Sequence, residues 1–125
     1  MFALNRFETK QIMSGRAGGC ARKYGDECPH KPGDEIVLSS RFLSPADNSI
    51  PFAKAQVVSV RPGTVAEFRR NPMIAEMDGY PNGEVWFGQM NVMYKGLKED
   101  EKMHHIKFRI LEIDKDAGRS VQKTS

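Results

Sequence analysis

A cysteine set among cations, a carboxylate placed before a glycine, and a run of basic residues carry most of the chemistry this sequence can perform. Cys20 lies in GRAGGCARK, flanked by Arg16 on one side and by Arg22 and Lys23 on the other. Only a thiolate attacks an electrophile, so Cys20 acts as a nucleophile if a neighbour lowers its pKa and is otherwise a small buried thiol. Asp78, in MDGY, offers an acceptor for an exocyclic amine such as that of cytosine. Asp-Gly is equally ordinary turn chemistry. Cys20 and Asp78 are the candidate catalytic residues. Arg16, Arg22 and Lys23 border glycines, and exposed backbone amides beside fixed positive charge bind phosphate. Ser39 and Arg41, in SSRF, and Lys54 extend this set toward phosphate and sugar. Trp86 offers a face on which a base stacks, worth about 1 to 3 kcal/mol per base, although its helical spacing also suits a core position. Cys20, Cys28 and His30, with His104 and His105 far along the chain, invite a zinc site, but Cys-x7-Cys-x-His follows none of the spacings of structural zinc sites, so neither a metal nor another cofactor is expected.

These groups have to be held by elements that the hydrophobic pattern marks out. FALN reads as a short strand, and Phe7 to Gly15 as a helix stopped by its glycine. Residues 16–34, with four glycines and two prolines, read as one long loop, and a loop of that length in a small domain is usually functional or disordered. Glu35 to Phe42 and Phe52 to Val60 read as antiparallel neighbours, the second stopped by Arg61-Pro62-Gly63. Thr64 caps a short helix, VAEFRR, with Glu67 completing a capping box, and Asn71-Pro72 ends it. Glu84 to Tyr94 reads as a helix. Met103 to Ile113 alternates Ile106, Phe108 and Ile110 with Lys107 and Arg109, as a strand does. The order fits a small curled sheet or barrel edged by short helices, of the α+β class.

At 125 residues the chain suits one domain. Apolar residues make up 39% and charged residues 28%, a balance too apolar for a disordered chain. No apolar run approaches a membrane span, and Arg6 interrupts any signal-peptide core, so no membrane partner and a cytoplasmic location are expected. Both cysteines are read as thiols. The net charge of +3 is too small to diagnose a nucleic-acid partner by itself, but residues 1–70 hold an excess of +4 and the remainder −1. A basic face built from the first half is expected.

The order and motifs resemble the ASCH domains, a family with a β-barrel like that of pseudouridine synthase and archaeosine transglycosylase (PUA-like). Their hallmark is G-x-K-x-x-E-x-R after the first helix, with Thr or Ser also found in place of Glu. Gly15 and Arg22 match that pattern, while Ala17 stands at the lysine and Cys20 at the Glu or Thr position. Arg6-Phe7, Pro32-Gly33-Asp34, Asp78-Gly79 and Trp86 fall in the expected order around it. The resemblance implies a PUA-like curled barrel over residues 1–116, with 117–125 as a mobile tail. It implies a binding domain for RNA or a modified nucleoside or nucleotide, held between the Gly15 to Lys23 loop and Asp78. An alternative is a small hydrolase, an amidohydrolase of N4-acylated cytidines or a ribonuclease. The lysine, threonine and glutamate of such amidohydrolases fall on Ala17, Cys20 and Asp78, and because Ala17 cannot act as nucleophile, base or charge partner, the reading leans away from catalysis. A second alternative is a protein-interaction domain that kept the fold without the ligand.

Overall fold

The structure, a computed structural model, describes residues 2–40 and 50–114. Arg41 and the expected tail, 117–125, lie outside the described residues. Strand β1 (Phe2–Ala3) leads into helix α1 (Arg6–Met13). Strands β2 (Gly19–Arg22), β3 (Glu35–Ser40) and β4 (Ile50–Thr64) follow. Helices α2 (Val65–Arg70), α3 (Pro72–Met77) and α4 (Gly83–Tyr94) come next, and β5 (Lys102–Ile113) closes the order. The five strands form one sheet in the order β1-β3-β4-β5-β2, with β1 parallel to β3 and the other neighbours antiparallel. This is the α+β curled sheet with short helices that the pattern implies. No described helix is long and apolar enough to cross a membrane.

Local chemistry accounts for most boundaries. Asn5 caps α1, its Oδ1 accepting from Glu8 N–H at 2.7 Å while Glu8 Oε1 accepts from Asn5 N–H at 3.0 Å. Thr64 and Glu67 form the expected box on α2. Asn71-Pro72 ends α2 and also starts α3, a helix the sequence reading did not separate. Asn71 Oδ1 accepts from Met73 N–H at 3.0 Å, and Pro72 occupies the first turn, where its missing N–H costs nothing.

Two expectations are corrected. Residues 16–34 are not loop throughout, because they contain β2, whose four residues are all buried and pair with Lys107 to His104 of β5. Glycines on either side mask the strand, and pairing with β5 overrides the weak local preference. Nor does Arg61-Pro62-Gly63 stop β4, which continues to Thr64 with Pro62 opposite His104. Strand β3 pairs with β4 only as far as Gln56, so beyond it one side of β4 has no strand partner among the described residues and tolerates a proline.

Two cores result. Inside the curl, Leu38, Phe52, Val57, Ile106 and Cys20 pack against Ile12 of α1. On the other face of the sheet, Phe68, Ile74, Trp86 and Met90 of the helices pack on Ala21 and Met103. The edge strands β1 and β2 are bridged at Arg22, whose Nη2 donates to the Ala3 carbonyl at 2.9 Å. Glu8 of α1 accepts from both terminal nitrogens of the same guanidinium, at 2.8 and 2.7 Å. An ion pair between α1 and β2 thus ties the open side of the curl together.

Candidate functional site

Asp78 is the C-cap of α3, its N–H donating to the Ile74 carbonyl at 3.1 Å, and Gly79, at φ +86°, turns the chain away. Its side chain points inward, and the residue is 2% exposed. Oδ2 accepts from Trp86 Nε1–H at 3.2 Å, and Oδ1 lies 2.6 Å from His105 Nε2. With Asp78 ionised, Nε2 carries the proton and donates. Burial pushes the Asp78 carboxyl above its ordinary range, while the His105 and Trp86 hydrogen bonds act against that rise. Strand β2 passes so close that a Cβ on Gly19 would stand 2.9 Å from His105 Cε1 and 3.2 Å from Asp78 Oδ1. Asp78 therefore fastens α3, α4 and β5 together in the helix-side core.

Cys20 faces the other way. Successive strand residues point to opposite faces. Ala21, opposite His105, belongs to the helix-side core, and Cys20, opposite Ile106, belongs to the core inside the curl. Cys20 and Asp78 thus lie on opposite faces of β2. Cys20 is fully buried, and burial holds its thiol well above the ordinary cysteine range despite the nearby Arg22 cation. In this state it is a protonated packing residue.

The cations of GRAGGCARK also part. Arg22 is 8% exposed, committed to Glu8 and to the Ala21 and Ala3 carbonyls, with its guanidinium 4.9 Å from the Phe2 ring centre. Lys23 is exposed and ion-paired with Glu101. Arg16 is exposed and has no ion partner among the described residues. Ser39 is buried, its carbonyl accepting from Leu4 N–H at 3.0 Å. Lys54 is exposed on β4. Trp86 is wholly buried and presents no ring face to solvent.

Arg16 belongs instead to an open cleft of about 480 Å³ between the turn Gly15 to Gly18, the Met73 to Met77 side of α3, and Lys107 of β5. The turn is fixed on three sides. Gly15 adopts φ +76°, Arg16 N–H donates to the Gln11 carbonyl at 2.8 Å, and Gly18 N–H donates to the Met77 carbonyl at 2.9 Å. Phe108 N–H then donates to the Gly18 carbonyl at 2.9 Å, docking the turn on β5. Arg16 and Lys107 give the cleft two cations without acidic partners among the described residues, beside Glu76 and an exposed Met73. Ala17 lines it where a lysine stands in the family motif. Among the described residues no three His, Cys, Asp or Glu side chains group as a metal site.

Sequence reasoning missed Glu8, His105 and Lys107. Lys107 carried a signal, since its alternation with Ile106 and Phe108 sets it on the face opposite to the core. Glu8 and His105 carried none, because their partners are distant in the chain.

No family model and no curated protein matches this sequence. Solved structures do. A protein of Enterococcus faecalis, described under the family model DUF984, superposes with a TM-score of 0.62 at 15% identity, over 87% of this chain and 69% of that one. The hypothetical protein PH0355 gives 0.62 at 17% identity, over 88% and 96%. The ASCH protein of Zymomonas mobilis gives 0.58 at 16% identity, over 86% of this chain and 64% of that one. Identities this low speak for architecture alone. With the strand order, helices α2 to α4 on one face and the turn after α1 already in place, they show that this chain has the curled PUA-like fold of the ASCH domain structures.

Proposed function

We propose that this domain binds a phosphate-bearing nucleotide ligand, RNA or a nucleoside phosphate, in the cleft between the Gly15 to Gly18 turn, α3 and Lys107. The observation that carries the reading is the pair of cations, Arg16 on the turn and Lys107 on β5, that line one cleft without an acidic partner among the described residues, the turn itself being held by three hydrogen bonds. Two exposed cations lining one cleft suit a phosphate, and Met73 offers an apolar surface at the same mouth. Arg22 and Lys23, which the sequence placed in the same grip, have carboxylate partners of their own and are less available.

Binding is favoured over hydrolysis of an N4-acylcytidine. Ala17 brings no base to the cleft, the Cys20 thiol is closed off inside the curl, and Asp78 is held by Trp86 and His105. Amide chemical shifts recorded during titration with a nucleoside monophosphate test the reading. Arg16, Gly18 and Lys107 are expected to move together and saturably. Movement confined to a distant surface, or none, refutes it.

A further inference from the structure

The cleft opens beside the outer face of the β4–β5 ribbon, where the ladder is twice irregular. Pairing passes from Val57–Phe108 to Ser59–Lys107, leaving Val58 as an extra residue. It passes again from Ala55–Ile110 to Lys54–Glu112, leaving Leu111 extra on β5. Both extra residues are apolar and exposed, at 48% for Val58 and 44% for Leu111. Bulges re-aim side chains and gather near sites, and here each one presents an aliphatic group to solvent. Between the two bulges lies the row Gln56–Arg109, with Arg109 Nη2 donating to Gln56 Oε1 at 2.8 Å. Lys107 stands two residues earlier on the same face, about 6.8 Å away by the strand rise. Neither cation has an acidic partner among the described residues. Beyond Leu111 the pattern ends, because Lys54 is opposite Glu112 and the charges there balance.

We infer that the ligand is a short single-stranded RNA rather than a lone nucleotide, with successive phosphodiesters passing Arg16, Lys107 and Arg109 and with riboses or bases resting on Val58 and Leu111. This rests on the cleft being a phosphate site, and it adds a direction and an end. Cations repeating at a few ångströms with aliphatic groups between them match an extended polyanion that carries apolar rings at each repeat. A monophosphate meets only the cleft. A longer strand meets Arg109 and the bulge residues as well.

Fluorescence anisotropy with a labelled nucleoside monophosphate, a dinucleotide and a hexanucleotide tests this. Affinity is expected to rise roughly tenfold or more from the monophosphate to the hexanucleotide as further phosphates are neutralised. Arg109→Gln removes most of that gain and leaves the monophosphate unaffected. The pair Val58→Ser and Leu111→Ser weakens the hexanucleotide without changing its salt dependence. A monophosphate that binds as tightly as the hexanucleotide, or a gain that survives Arg109→Gln, overturns the track while the cleft reading stands. An acidic peptide that displaces the hexanucleotide equally well overturns the nucleic-acid identity. Absence of binding by every phosphate ligand removes both readings.

Discussion

Glu8→Gln is expected to be among the most damaging conservative changes in the protein. The Glu8 and Arg22 side chains are only 4% and 10% exposed, and their oxygens and nitrogens meet twice, at 2.7 and 2.8 Å. Glutamine at this helix position still completes the capping box with Asn5, so the substitution leaves the start of α1 intact and removes only the charge. What remains is a guanidinium that stays protonated at any accessible pH, buried without its counter-ion. Breaking one partner of a buried pair costs about 3 to 5 kcal/mol. At roughly 4 °C per kcal/mol for a chain of this size, the melting temperature falls by about 12 to 20 °C. The loss also unties β1 from β2, because the same guanidinium donates to the Ala3 carbonyl. Urea denaturation at neutral pH, followed by tryptophan fluorescence from the single Trp86, reads the change directly. Replacing both partners, as Glu8→Leu with Arg22→Met, is expected to recover part of the loss, since an apolar pair leaves no isolated charge. A Glu8→Gln protein within about 0.5 kcal/mol of wild type would falsify the ion-pair account.

Gly88 is an exposed position inside α4 with no atom within 4 Å of a built Cβ, so Gly88→Ala is expected to stabilise by roughly 0.5 to 1 kcal/mol in the same assay. Gly19→Ala runs the other way, losing about 1 to 3 kcal/mol as the methyl meets His105 at 2.9 Å and the Ile106 carbonyl at 3.0 Å; unchanged stability would mean that β2 does not lie this close. Asp78 has a folded pKa raised by burial, so its protonated form favours folding: this contribution is fully present below the unfolded carboxylate pKa, about 3.9, and is lost as pH rises toward the raised folded value. Asp78→Asn therefore flattens that part of the stability profile, and it costs about 1 to 3 kcal/mol because an amide cannot accept from both Trp86 and His105 at these positions. A profile of identical slope in the variant contradicts the assignment. Purified protein is expected to release no product from an N4-acylcytidine above the buffer rate, and robust turnover would show that another residue has taken the place of the missing lysine.

Helices α1, α2 and α4 were legible because their signals are local. Thr64 with Glu67, and the apolar spacing of Glu84 to Tyr94, are read within one or two turns of chain. The β3–β4 hairpin and the alternation of β5 were equally local. What escaped depends on partners remote in sequence. Nothing near Gly19 to Arg22 says that this glycine-flanked stretch is a strand, because β5, more than eighty residues away, makes it one. The same distance hides Arg22's role, since a cation beside glycines reads as solvent-facing until Glu8 of α1 folds onto it. The family motif drew attention to the turn after α1, yet it gave no sign that strand alternation puts Cys20 and Asp78 on opposite faces. Lys107 was written in the alternating pattern of β5, but its place beside Arg16 needed the docking of Gly18 on Phe108.

The salt dependence of binding to a short single-stranded RNA tests the central claim most directly. Each phosphate neutralised on a single strand contributes a slope of about −0.7 in log affinity against log salt, so engagement of Arg16, Lys107 and Arg109 predicts a slope of about −2. Arg16→Gln together with Lys107→Gln is expected to bring this to about −0.7 and to leave the unfolding midpoint in urea unchanged. A double variant that binds with the wild-type affinity and slope contradicts the claim that this cleft holds phosphate.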